Sequence, residues 1–120
     1  MRGDCIVNNQ TEAERGYVEA AQLARSHGDP VALAHALRHI SELARKRGAS
    51  AEASHHACEA VALYRSSGDQ LGLANAIRLQ ALSAGSREEA AAFWQEARDL
   101  YSSLGVGPGV AECDSHLSKT

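Results

Sequence analysis

Several residue types are scarce in this chain, and each shortage excludes a class of structure. Aromatic residues make up only 4% of the 120 residues, and there are only two prolines. β-Branched residues are few and do not alternate with polar ones, so the pattern of a half-buried strand is absent. Proline interrupts helices, and its scarcity leaves long stretches of the chain free to be helical. The sequence therefore predicts an all-α fold.

The chain also lacks an excess of basic residues and any long apolar run, and these two absences exclude two classes of partner. The formal net charge is −3, whereas proteins that bind phosphate backbones carry an excess of Lys and Arg. No apolar run approaches the roughly 18 residues of a membrane span, and the N-terminus lacks the apolar core of a signal peptide. We therefore expect no nucleic acid and no membrane among the partners, and a cytoplasmic location.

Cysteine is present in small number and without a functional pattern. Three cysteines, at positions 5, 58 and 113, form neither a CxxC pair nor a disulfide framework. Cys58 and Cys113 fall on apolar helix faces and are predicted to be small core residues. No base is placed nearby to activate a thiol. The sequence therefore predicts reduced cysteines, no enzyme activity and no cofactor.

An internal repeat is the main feature that is present. Three segments share one motif, in which an alanine-rich stretch ends near a glycine and a new helix follows at once. The copies, spaced by 40 and then 37 residues, begin at Glu19, Glu59 and Glu96. A second motif follows, LAHALR at residues 33–38, LANAIR at 73–78 and a weaker VAEC at 110–113. A repeat of this length predicts helix pairs that stack on one another.

Start and stop signals divide the chain into six helices. Thr11 and Ser86 open capping boxes, and Asp29 and Asp69 stand where each can cap the helix after it. The predicted helices cover approximately residues 12–27, 30–47, 51–67, 70–84, 87–104 and 109–118. We predict a flexible N-terminal arm at residues 1–10 and a helical repeat domain at residues 11–120. The short linkers predict antiparallel hairpins.

These positions resemble the tetratricopeptide repeat (TPR) family, in the variety with repeats nearer 40 than 34 residues. The resemblance covers residues 12–118. The positions at which the family alternates large and small residues correspond in the first full unit to Leu37, Ile40, Ala44, Gly48, Ala53, Ala57 and Ala60. In the second unit they correspond to Ile77, Ala81, Gly85, Ala90, Trp94 and Ala97. Ala44, Ala57 and Ala81 depart from the family, which has tyrosine or phenylalanine there. The resemblance implies a short right-handed solenoid whose first helices line a concave groove, in a non-catalytic module that binds proteins or peptides.

The resemblance also assigns residues to that groove. The predicted partner-binding residues are His35, Arg38, Glu42, Arg45, Asn75, Arg78, Leu79 and Leu82. Arg38 and Arg78 occupy matching places in the second motif, so both are expected to offer fork-shaped donors to a carboxylate. We expect an acidic segment or a free C-terminus as the ligand. The alternative interpretation is a charged face that only contacts solvent.

Two other functions stay open. Val106, Val110 and Leu117 are apolar at a C-terminal end without an obvious polar capping helix, which predicts self-association, for example as a homodimer. His35 and His39 lie four residues apart on one helix, a spacing that lets two imidazoles share a metal ion. Glu42 would be only a loose third ligand, so no metal site is assigned, and a metal-binding protein through His35 and His39 is kept as the weaker alternative.

Overall fold

The chain folds into six consecutive α-helices. The computed structural model describes the backbone of residues 2–119 and the side chains of residues 12–119. The helices are α1 Arg2–Ser26, α2 Pro30–Lys46, α3 Ser50–Ser67, α4 Gln70–Leu82, α5 Arg87–Leu104 and α6 Gly107–Leu117. No strand occurs between residues 2 and 119, so the predicted all-α fold is confirmed. Over the same stretch, no helix is long and apolar enough to cross a lipid bilayer.

The first helix begins earlier along the chain than predicted. The backbone of α1 starts at Arg2, whereas the capping box predicted a start near residue 12. The flexible arm predicted at residues 1–10 falls on residues whose side chains lie outside the description, and it stays a prediction. The side chains described from residue 12 onward pack α1 against α2.

Each helix packs against the next one along the chain. Turns of two to four residues separate the helices, and α2 also contacts α4. Short turns between long helices reverse the chain direction and produce hairpins. The arrangement is therefore a repeat-like stack of helices, in which the first helix of one pair contacts the first helix of the next.

Local sequence determines where the helices begin and end. Asp29, Asp69 and Ser86 each accept a hydrogen bond from the backbone N–H three residues on, at 2.9–3.1 Å. These caps satisfy N–H groups that the first turn of a helix leaves without partners. Gly68 and Gly105 end α3 and α5 with φ values of 81° and 76°, a left-handed conformation that glycine adopts without strain.

Small residues form much of the core. The alanines with no exposed surface are Ala34, Ala44, Ala53, Ala57, Ala60, Ala74, Ala76 and Ala97. Such side chains let helix backbones approach closely. Ser41, in α2, is also buried, and its Oγ donates a 2.7 Å hydrogen bond to the carbonyl of Ala53 in α3. The polar atom is therefore satisfied inside the contact between these two helices.

Two repeated tyrosines each bridge three helices. The ring of Tyr64, in α3, lies against Gly72 in α4, so a Cβ added to that glycine would come under 3.0 Å from the ring. Tyr101, in α5, lies against Gly109 in α6 in the same way. The Tyr64 hydroxyl is 2.6 Å from Nδ1 of His35 in α2. Each ring therefore requires glycine on the following helix.

The apolar residues at the C-terminal end are more buried than the sequence indicated. Val106, Val110 and Leu117 pack against the core and are only partly exposed. The apolar surface that predicted self-association is therefore largely used within the chain. The large apolar residues that remain exposed lie elsewhere: Val18, Leu23, Leu71 and Leu104.

The two described cysteines differ in burial. Cys113 has no exposed surface, as predicted. The prediction of a core position was wrong for Cys58, which is exposed. Cys58 lies beside the buried stripe of α3 that includes Ala57 and Val61, and its sulfur accepts a 3.4 Å hydrogen bond from Gln80. One step around the helix separates a core position from a surface position.

Candidate functional site

A polar cavity lies where α2 faces α4. It encloses about 230 Å³ and is lined by Arg38, His39, Glu42, Asn75, Arg78 and Leu79. We call it the Arg38 cavity. The structure thus brings together, along one cavity, the predicted groove residues Arg38, Glu42, Asn75, Arg78 and Leu79. His39 was not among the predicted residues, although its position one residue after Arg38 placed it on the same helix.

The other predicted groove residues lie outside this cavity. His35 is engaged by the Tyr64 hydroxyl. Arg45 turns back to pair with Glu42, donating from Nε at 3.0 Å. Leu82 lines a separate cavity near the ends of α4 and α6. Of the eight predicted residues, five therefore line the Arg38 cavity, one lines the second cavity, and His35 and Arg45 line neither of the two.

Arg78 already holds a carboxylate of this chain. Its Nε and Nη2 donate to Oε1 and Oε2 of Glu112 in α6, at 2.6 and 2.9 Å. This hydrogen bonding raises the pKa of Arg78 and lowers the pKa of Glu112. Two parallel bonds to one carboxylate are the geometry for which the guanidinium group is suited. The sequence reasoning missed Glu112, although it follows Asn75 by the second repeat spacing.

Arg38 is the equivalent arginine without such a partner. Its Nε is buried and forms no hydrogen bond, and no ion pair to Arg38 occurs among residues 12–119. The residue equivalent to Glu112 on the facing helix is Asn75, whose Oδ1 already accepts a 2.6 Å hydrogen bond from Tyr101. A buried donor without an acceptor is energetically costly. The cavity therefore contains one donor group that the chain itself leaves unsatisfied.

The electrostatics near Arg38 are set by burial and by its neighbours. Burial raises the pKa of the Tyr64 hydroxyl, and a hydrogen bond with the Arg38 guanidinium, together with its charge, opposes that rise. Burial first, and then the charges of Arg38 and His35, lower the pKa of His39. The His39 ring stacks on Tyr17 with centroids 4.6 Å apart. His39 is therefore neutral at pH 7, and Arg38 supplies the uncompensated positive charge of the cavity.

This arrangement suits binding of an anion. A guanidinium group with a free donor attracts a carboxylate, and the neighbouring Asn75 amide adds polar contacts. No group of three or more His, Cys, Asp or Glu side chains placed to hold a metal ion occurs among the described residues. Of the two histidines considered as metal ligands, His35 contacts Tyr64 and His39 stacks on Tyr17.

Comparison with known proteins adds no relative. No model of a known protein family matches the chain, and no curated protein matches it either. The internal repeat therefore supplies the equivalences by which positions in this molecule are compared.

Proposed function

We propose that this chain is a non-catalytic interaction module that binds an acidic segment of a partner protein, with a ligand carboxylate held by Arg38. The observation that carries the proposal is that Arg38 lines an open polar cavity while its buried Nε lacks an acceptor. A ligand carboxylate would satisfy that donor and neutralise the charge.

A second arginine of the chain already binds a carboxylate in the proposed way. Arg78 stands 40 residues after Arg38 in the matching motif, and it holds the Glu112 carboxylate through two hydrogen bonds. At the Arg38 position the facing helix carries the neutral Asn75 instead. A carboxylate from outside the chain fits the place that Glu112 takes in the next repeat.

A TPR-like assignment is part of the proposal. It is supported by the repeat of 40 and then 37 residues, by the consecutive packing of the helices and by alanines at their close contacts. We propose a protein or peptide in the cytoplasm as the partner class. Binding without chemistry at the ligand agrees with a cavity whose lining includes His39 and Glu42 but no serine, threonine, cysteine or lysine that they could activate as a nucleophile.

The test is binding of a defined acidic peptide. A fluorescein-labelled peptide of six glutamates is titrated with the protein, once with a free C-terminus and once with an amidated one, and anisotropy is measured at low salt. We expect Arg38→Gln to weaken binding about tenfold or more, because a hydrogen bond to a charged group contributes about 1.5–3 kcal/mol.

A matched control separates this site from general charge attraction. Arg65 is an exposed arginine outside the cavity that pairs with Glu96 at 2.7 Å. Arg65→Gln removes the same charge and should change the affinity less than twofold. Equal affinity of the wild type and Arg38→Gln would exclude the proposed site, and a preference for the free C-terminus would identify the terminal carboxylate as the recognised group.

A further inference from the structure

A second cavity lies where the ends of α4 and α6 meet the start of α5. It encloses about 260 Å³ and is lined by Ala81, Leu82, Arg87, Ala90, Ala91, Trp94, His116 and Lys119. We call it the Leu82 cavity. Its apolar lining comes from Leu82, the alanines and Trp94, and its two cations are Arg87, at the start of α5, and Lys119, just after α6. It shares no lining residue with the Arg38 cavity.

The repeat explains why this cavity is open. The residues equivalent to His116 and Lys119 in the preceding repeat are Leu79 and Leu82, and Leu79 is only 3% exposed. The preceding repeat therefore buries an apolar side chain at the position that His116 occupies in the last repeat. In the last repeat His116 instead stacks on Trp94, with centroids 4.0 Å apart and planes inclined by 4°. Because α6 ends at Leu117, Lys119 lies beyond the helix and leaves the space unfilled.

The charges around the Leu82 cavity are positive and unpaired. Within residues 12–119, the side chains of Arg87 and Lys119 form no hydrogen bond and no ion pair, and both are exposed. The N-terminus of α5 adds the positive end of a helix dipole beside Arg87. Glu88 and Glu89 lie in the same turn but do not line the cavity. An apolar lining accompanied by two free cations complements a ligand that has an apolar group next to negative charge.

We propose that the Leu82 cavity binds one apolar side chain of a partner segment whose neighbouring residues are acidic. The volume lies just below the roughly 300 Å³ at which small-molecule pockets begin, and it suits a single side chain better than a whole cofactor. The apolar side chain packs on Leu82 and Trp94, and the flanking carboxylates face Arg87 and Lys119. This site is separate from Arg38 and needs no contribution from it.

Trp94 provides a direct reporter, since it is the only tryptophan of the chain. The probe is the blocked peptide acetyl-Glu-Glu-Leu-Glu-Glu-amide, titrated against the full chain while tryptophan emission is recorded. We expect a saturable change in emission. The peptide with glycine in place of its leucine, and the peptide with glutamine in place of its glutamates, should each bind at least fivefold more weakly. No saturable change with the leucine peptide would overturn the proposal.

Variants of the protein test the same site from the other side. Arg87→Gln combined with Lys119→Gln should weaken binding about five- to tenfold, the size expected for two exposed charge contacts. The matched control is Arg15→Gln combined with Lys46→Gln, which removes two exposed cations from α1 and α2 and should leave the affinity unchanged. Equal weakening in both double variants would show general charge attraction and overturn the proposal.

A space-filling variant gives a third measurement. Ala91→Phe places a ring in the cavity and should abolish the emission change, with far-UV circular dichroism used to check that the helices are retained. Should that variant fail to fold, the charge variants decide the question. Arg38→Gln should leave this titration unchanged, so the Leu82 cavity and the Arg38 cavity can fail independently.

Discussion

The contact of α2 with α4 and the contact of α4 with α6 use one design with different chemistry. In the second contact, Arg78 reaches across to Glu112 and the charges cancel within the chain. In the first, Arg38 faces Asn75, a neutral residue that Tyr101 already engages. Asn75 and Glu112 hold equivalent positions in the repeat, so the chemical difference lies in this facing residue. The later contact therefore contains a carboxylate of the chain, whereas the earlier contact leaves the Nε of Arg38 without an acceptor.

The contacts between the helix pairs show a second difference. Tyr64 and Tyr101 each press against a glycine of the next helix. The equivalent positions in the first copy of the repeat hold Ala24 and Ala32 instead. A large ring with no Cβ opposite and a small side chain with a methyl group opposite are two ways of filling similar space. The first copy of the repeat thus shows which pair of small residues can replace the tyrosine–glycine pair at this contact.

The largest expected effect comes from breaking the tyrosine–glycine contact. Gly72→Ala should lower the free energy of unfolding by about 2–3 kcal/mol, because the new Cβ would overlap the Tyr64 ring, which is fully buried and cannot move away easily. Gly109→Ala should cost less, since α6 is the last helix: its backbone lies close to that of α5 alone among the described helices, and Glu112 reaches α4 only through its side chain. Urea unfolding of both variants, followed by circular dichroism, measures the difference.

A double variant tests whether the ring is the cause. Gly72→Ala combined with Tyr64→Ala reproduces the pair found at Ala24 and Ala32. We expect the double variant to be more stable than the sum of the two single losses predicts, by about 1 kcal/mol or more. Strict additivity would show that the ring does not require glycine at position 72.

The next prediction concerns a substitution that makes the contact of Arg38 with α4 resemble the contact of Arg78 with α6. Asn75→Asp keeps the oxygen that accepts from Tyr101 and adds a carboxylate facing Arg38, as Glu112 faces Arg78. Binding of the acidic peptide should fall about tenfold, since the new carboxylate competes for Arg38. Anisotropy measures the loss, and Asn75→Ser is the control that removes the amide without adding charge. Undiminished binding by Asn75→Asp would contradict the equivalence of the two contacts.

A smaller difference is expected in stability. Arg78→Gln breaks a half-exposed ion pair, with side chains 32% and 33% exposed, and should cost about 1 kcal/mol. Arg38→Gln has no ion pair to break and should change the free energy of unfolding by less than about 0.5 kcal/mol. Chemical unfolding of the two variants under identical conditions compares them. A loss for Arg38→Gln as large as that for Arg78→Gln would mean that Arg38 has a structural role.

The sequence predicted the helices better than the site. Caps such as Asp29, Asp69 and Ser86 act within one turn, so local sequence is enough to place the helices they begin. The partner of Arg78 depends on where α6 lies in three dimensions, and the third copy of the motif is too altered to reveal Glu112 directly. Cys58 was misplaced because apolar neighbours along a helix do not share one face. The Leu82 cavity lies at the end of α6, and the periodicity of apolar residues does not predict the space that the end of a helix leaves.

The smallest effect concerns two histidines in the N-terminal half of the chain. Burial is the main cause that lowers the pKa of His39, with Arg38 and His35 adding to it, and burial followed by His55 lowers the pKa of His56. In the unfolded chain both imidazoles return to about 6.5, so the unfolded state binds more protons as the pH falls. The contribution of these two histidines to the free energy of unfolding is therefore fully present above about pH 6.5. It is lost as the pH falls through about 6.5 toward the lower pKa values of the folded state.

We expect the free energy of unfolding to fall by less than about 1 kcal/mol between pH 7.5 and 5.5. The carboxyl groups whose pKa is lowered, Glu14 and Glu112, lose their contribution only below the ordinary value of 4.5 and so lie outside this window. His39→Gln should flatten the dependence, whereas the control His27→Gln, at an exposed position, should leave it unchanged. An identical slope in His39→Gln and the wild type would mean that His39 does not resist protonation, and the Arg38 cavity would then carry a second positive charge at mildly acidic pH.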